Sequence, residues 1–142
     1  MSEQAVKILN DFLAAESASL VSRLRECDAY VAWTAAQDGL VIDRITADSA
    51  AHRHELVEMI LKLRGQPRPA QFKTMPGSEH YLRLDFLMPQ MVKSMKSLAA
   101  TYASAGPTGN VEADALVARI LADHMRHLAE LERLQGKLYQ PS

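Results

Sequence analysis

VEADALVARILADHMRHLAELERLQGKLY, residues 111–139, is the stretch that decides the fold. Val117, Ile120, His124, His127, Leu131, Leu134 and Leu138 follow one another at strict steps of three and four, the spacing that lines one face of an α-helix. Two histidines thus stand where the pattern calls for apolar side chains. Charged residues fill the opposite face, which describes a helix with one buried seam and a solvated back.

Working outward, the same period recurs three times and sets an all-α class. Residues 80–105 place Leu84, Met88, Met91, Met95, Leu98, Tyr102 and Ala105 on one stripe, with Pro89 inside it as an expected kink, and GPTGN at 106–110 is the turn into the last helix. Residues 40–64 place Ile42, Ile45, Ser49, His52, Leu56, Met59 and Leu63 on a seam that stops at Gly65. Before them, residues 3–36 carry Leu9, Leu13, Glu16, Leu20, Leu24, Cys27 and Val31, with Gln37-Asp38-Gly39 as the expected turn. All 142 residues are read as one four-helix domain.

Short turns make helices 1 and 2, and helices 3 and 4, antiparallel neighbours. The middle connection, GQPRPAQFKTMPGSE at 65–79, has no helical period. Its 15 residues can stretch to roughly 50 Å at about 3.3 Å per residue, whereas a 25-residue helix is only about 37 Å long. Both a full-length crossover and a compact up-down-up-down connection are compatible with that reach.

The residues that carry chemistry are polar groups on apolar seams: Glu16, Ser49, His52, His124 and His127. Glu16, His52, Met91 and His124 each fall near the middle of their helices, so the four are expected in one layer of the bundle. A carboxylate and three imidazoles in an apolar interior are ligand types that zinc, iron, manganese and copper accept. They are also able to satisfy one another as a buried charge-assisted network.

Composition narrows the partners. Sixteen basic and 17 acidic residues are dispersed for a net charge of −1, which suggests neither a nucleic-acid footprint nor a membrane-attracting stripe. Cys27 is the only cysteine, excluding an intramolecular disulfide and a multi-cysteine metal site. MSEQAVKILNDFL lacks the basic start of a secretory leader, and no apolar run reaches the roughly 18 residues of a membrane span. The expectation is a soluble, cytoplasmic protein.

LNDFLAAE ending at Glu16, HRHELVEMILKLRGQP from His52, and DHMRHLAELE around His124 and His127 resemble bacterioferritin and its ferritin-like relatives over nearly the whole chain. The resemblance implies a ferritin-like four-helix bundle with a long crossover between helices 2 and 3. It also implies a site with one Glu in helix 1, one in helix 3, and a Glu-x-x-His in each of helices 2 and 4. Glu16, His52 and His127 match the terminal ligands of that pattern. Ser49, Met91 and His124 stand where it has glutamates, so both bridging carboxylates are missing and a di-iron ferroxidase centre is not expected. Ala50 stands at the position of the axial methionine of a haem-bridged dimer, so no haem is expected. The chain ends in LERLQGKLYQPS, without the short fifth helix that lines cage channels, which argues against a 24-subunit shell and leaves a homodimer.

The remodelled set of Glu16, His52 and His124, with His127 close by, suits one divalent metal ion, iron or zinc, used in metal handling, oxidative-stress chemistry or structure. A metal-free helical-bundle dimer acting as an accessory module is one alternative. A non-haem oxidase completed by waters, Asp48, Asp123 or a neighbouring chain is another. Met88, Met91 and Met95 read as core filling rather than a copper stripe, and Cys27 as a small buried hydrophobe. His54, Glu55, Arg23, Arg25, Glu26, Lys93 and Lys96 read as solvated surface, His80 as ordinary, and Tyr30, Trp33 and Tyr102 as packing near helix ends.

Overall fold

The structure is a computed structural model, and it describes residues 3–19, 36–68 and 84–138. These form four helices and no strand: α1 (Glu3–Ala18), α2 (Ala36–Lys62), α3 (Leu84–Ser104) and α4 (Val111–Leu138). The expectations for Leu20, Leu24, Cys27, Tyr30, Val31, Trp33, His80 and most of the 65–79 connection lie outside the described residues.

The seams read from the sequence become the core, with a drift toward the helix ends. On α2, Ile42, Ile45, Ser49, His52 and Leu56 are buried, but Ile60 takes the next place, and Met59 and Leu63 pack only part-buried against the core. On α4, Ala113 and Leu116 are buried and Val117 is half-buried. A straight helix turns every 3.6 residues, so a strict seven-residue pattern slides off the contact face by about 20° per heptad.

Two helix boundaries differ from the apolar period. α1 ends at Ala18, and its last turn shows why. The Ser17 hydroxyl donates to the Leu13 carbonyl at 2.8 Å, and the Ser19 hydroxyl and amide both donate to the Glu16 carbonyl, at 3.0 and 3.3 Å. Serine hydroxyls that take backbone carbonyls compete with continued helix. α2 is described from Ala36, and Gln37-Asp38-Gly39 belongs to the helix and is not a connection.

Cross-helix pairs set the directions. Asn10 holds the chain after α2 with both ends of its amide, donating to the Gln66 carbonyl at 3.0 Å and accepting from the Arg68 amide at 2.6 Å, while Glu16, later in α1, lies beside His52, earlier in α2, so the two helices are antiparallel. Lys62 pairs with Glu112, Glu55 with Arg119 and Asp48 with His127, so α2 and α4 are antiparallel. Six residues join α3 to α4, and Tyr102 in the last turn of α3 stacks on Phe12 with ring centroids 4.2 Å apart. α3 therefore opposes α4 and runs parallel to α2, which requires the long crossover between them.

Local stereochemistry fixes the end of α2 and the start of α4. α2 closes with the Gly65 amide on the Ile60 carbonyl and the Arg64 amide on the Leu61 carbonyl, a Schellman pattern in which Arg64, at φ 63°, takes the left-handed position. Gly65 is needed for space instead: a β-carbon there would lie 2.6 and 2.7 Å from the two γ-carbons of Val6 on α1. α4 starts at Asn110, whose Oδ1 accepts the Ala113 amide at 2.9 Å as an N-cap. Asp114 Oδ1 accepts the amide and hydroxyl of buried Thr108 at 2.8 and 2.7 Å, bonds that hold its carboxyl below the ordinary value of 3.8.

Gly65→Ala is expected to destabilise the fold by about 1–3 kcal/mol in urea unfolding, because overpacking forces α1 away from the end of α2. A carboxyl held low in the folded state stabilises above its unfolded value and loses that contribution as the pH falls through the folded one. The thermal midpoint of Asp114→Asn should therefore fall less steeply than that of the parent protein below about pH 4.

Candidate metal centre

Each helix brings one polar side chain to the middle of the bundle. α1 contributes Glu16, α2 His52, α3 Tyr102 and α4 His124, all at most 2% exposed. Glu16 Oε1 is their common point. The Tyr102 hydroxyl donates to it at 2.8 Å and His124 Nε2–H donates to it at 2.5 Å, while His52 Nδ1 stands 4.0 Å away. The rings crowd together, with His52 and His124 edge to face at 5.0 Å and Tyr102 and His124 at 5.2 Å between centroids. Burial, together with the charge and hydrogen bond of Glu16, pushes the Tyr102 phenol far above its ordinary value of 10.0, so it serves only as an O–H donor.

A second layer lies between this cluster and solvent on the α2–α4 face. His52 Nε2–H donates to Asp123 Oδ2 at 2.8 Å, and His127 Nε2–H donates to Asp48 Oδ2 at 2.9 Å. Each helix thus carries an Asp-x-x-x-His segment whose aspartate holds the other helix's histidine. Burial works to raise the Asp123 carboxyl, but the hydrogen bond and charge of His52, with Arg126 and His127, outweigh it and hold it low. Burial also lowers His127 against the pull of Asp48, favouring the neutral ring.

These bonds decide what the histidines can offer. A neutral imidazole that donates from Nε2 keeps its lone pair on Nδ1. His52 Nδ1 and His124 Nδ1 are buried and have no hydrogen-bond partner among the described residues. Most buried polar atoms are satisfied, so the orphaned His52 Nδ1, 4.0 Å from the Glu16 carboxylate, fits an electron-pair acceptor. One donor atom each from Glu16, His52 and His124 lies within 4.8 Å of the others, a spread that small side-chain rotations bring to the reach of one cation.

Of the residues singled out from sequence, Glu16, His52 and His124 meet. The His127 ring lies alongside, 6.1 Å from His124 and 6.2 Å from His52, with its Nε2 committed to Asp48. Ser49 and Met91 are buried, Met88 and Met95 share the core with Met91, and His54 is exposed and paired with Glu58. Asp48 and Asp123 lie on the outer side of the histidines, so neither supplies a missing bridging carboxylate. Glu55 is part-buried and paired with Arg119. Tyr102 was the residue missed: its seam position signals burial, but nothing in its spacing says that its hydroxyl meets Glu16. The repeated Asp-x-x-x-His was a signal in the sequence for the outer layer.

Solved structures similar to this chain include a ferritin-like diiron-carboxylate protein from Bacillus anthracis str. Ames, with a TM-score of 0.72 and 19% identity over 94% of this chain and 96% of that one. The bacterioferritin of Desulfovibrio desulfuricans gives a TM-score of 0.70 and 16% identity over 95% and 80%. Dps from Thermosynechococcus elongatus gives 0.63 and 17% over 96% and 92%. No protein-family model matches the chain, and no curated protein matches it in sequence. At these identities the likeness shows the fold, a ferritin-like four-helix bundle.

Tyr102→Phe removes a hydrogen bond to a buried carboxylate and is expected to cost about 1.5–3 kcal/mol of unfolding free energy, read by chemical denaturation. A loss within error of zero would mean that this bond does not hold Glu16.

Proposed function

We propose that this chain is a ferritin-like metal-binding protein whose remodelled centre takes one divalent cation, iron or zinc, on Glu16, His52 and His124, with His127 beside it. The observation that carries the reading is the convergence of one donor atom each from buried Glu16, His52 and His124 within 4.8 Å, with the unpartnered His52 Nδ1 4.0 Å from Glu16 Oε1. A bound cation would supply Lewis acidity and a place for water or an oxygen species. The chain's own residues do the holding. Asp123 orients His52 by taking its Nε2–H, Asp48 does the same for His127, and Tyr102 anchors one oxygen of Glu16.

One cation, and not two, follows from the charges. The Bacillus anthracis neighbour is described as a diiron-carboxylate protein, but here a hydroxyl, a thioether and an imidazole occupy Ser49, Met91 and His124. A single buried carboxylate balances one divalent cation better than two, so the reading is of metal handling or oxidative-stress protection without the usual ferroxidase step. The single cysteine favours a cytoplasmic setting. The reading includes a homodimer, for which exposed Leu40 and Leu61 on α2 are candidate contacts.

The 2.5 Å bond between His124 and Glu16 favours a second reading, a metal-free bundle that keeps the cluster as an internal hydrogen-bond network and serves as an accessory module. Metal analysis separates the two. The purified protein is expected to hold about one iron or zinc per chain, and Glu16→Ala/His124→Ala to hold none. Equal metal content in both, or no metal in the parent after incubation with either ion, would favour the network.

A further inference from the structure

The hydrogen bonds around the centre treat its nitrogen and oxygen donors in opposite ways. On the nitrogen side, the Asp123 carboxylate takes the Nε2–H of His52 at 2.8 Å. A carboxylate in that place raises the basicity of the ring, so Nδ1, the buried and unpartnered atom 4.0 Å from Glu16 Oε1, becomes the better electron-pair donor. On the oxygen side, Glu16 Oε1 accepts the Tyr102 hydroxyl at 2.8 Å and His124 Nε2–H at 2.5 Å. Each of these bonds draws charge from the oxygen on which the candidate ligands converge. His124 is itself one of the three candidate ligands, so the bond that persists once a cation is held is the one from Tyr102. The Tyr102 ring is buried and stacked on Phe12 with centroids 4.2 Å apart, which keeps its hydroxyl at Glu16.

We propose that Tyr102 is a specificity-determining residue: by donating to Glu16 Oε1 it weakens the single carboxylate of the centre and tilts selection toward cations suited to imidazole, such as zinc, and away from those suited to oxygen, such as manganese and magnesium. The inference rests on the metal-binding reading above and narrows it to a class of cation. Asp123 and Tyr102 act in the same direction, one strengthening a nitrogen donor and the other weakening the oxygen donor. A Tyr102 that only packed and steadied α3 would, on removal, loosen Glu16 for every cation in proportion and leave their ranking unchanged.

Titrations of the full chain with zinc and with manganese(II), each in competition with a chromophoric chelator, test this. The ratio of zinc to manganese affinity is expected to fall about tenfold in Tyr102→Phe, the scale of one hydrogen bond to a charged acceptor. Placing 3-fluorotyrosine at position 102 keeps the ring and makes a stronger O–H donor, so the ratio should then rise above that of the parent. This second arm removes no packing and decides the matter even where Tyr102→Phe does not fold. The Glu16→Ala/His124→Ala protein should bind neither cation at the centre. An unchanged ratio in the fluorinated protein, or in folded Tyr102→Phe that still takes one zinc per chain, would overturn selection by Tyr102 and leave the metal centre standing. A parent protein that binds neither cation would overturn the metal centre and the selection together.

Discussion

Glu16 places a carboxylate at a fully buried point of α1, and the middle of the bundle is organised by the need to satisfy it. An ionised carboxylate without partners in an apolar interior costs many kcal/mol, so neighbouring helices have to deliver donors at that height. α3 delivers the Tyr102 hydroxyl and α4 delivers His124 Nε2–H, both to Oε1, while α2 brings His52 within 4.0 Å. One residue thereby sets the relative register of four helices. The apolar layers above and below, such as Leu9, Ile60, Leu131 and Leu134, fill space around a height already chosen.

The second layer explains how imidazoles can be held in an interior that disfavours charge. His52 and His127 each give one proton to an aspartate on the facing helix, which fixes ring orientation and tautomer together. Because α2 and α4 run antiparallel, an Asp-x-x-x-His on each is enough for reciprocal pairing. The same antiparallel registry continues outward as Glu55 with Arg119 and Lys62 with Glu112. Those exposed pairs are each worth at most about 1 kcal/mol; they mark the alignment more than they create it.

Most of the bundle was legible because burial follows helical period. Met88, Met91, Met95, Leu98 and Tyr102 lie where their spacing puts them, and so do Ser49, His52, His124 and His127. The departures have local causes that period does not contain. Ser17 and Ser19 divert backbone carbonyls at the end of α1, and Gly39 is helical within α2. Gly65 marks the stop of α2 for a reason other than its own backbone freedom: Arg64 takes the left-handed position, and Gly65 clears room for Val6. Depth grouped Glu16, His52 and His124 correctly, but it also placed Met91 in their layer, whereas α3 meets Glu16 through Tyr102, about 16 Å further along the helix at 1.5 Å per residue.

By itself the sequence determined the class, the seams and the burial of the polar residues, because all of these depend on residue type and spacing along one chain. Partner choice was decided by tertiary structure. Which imidazole nitrogen faces Glu16, that Asp48 and Asp123 sit outside the histidines and not between them, and that Tyr102 joins the cluster depend on the rotation and registry of α2 against α4 and of α3 against α1. Hydrogen bonds form over about 3 Å, and a helical period does not say which of several side chains at one height will come that close.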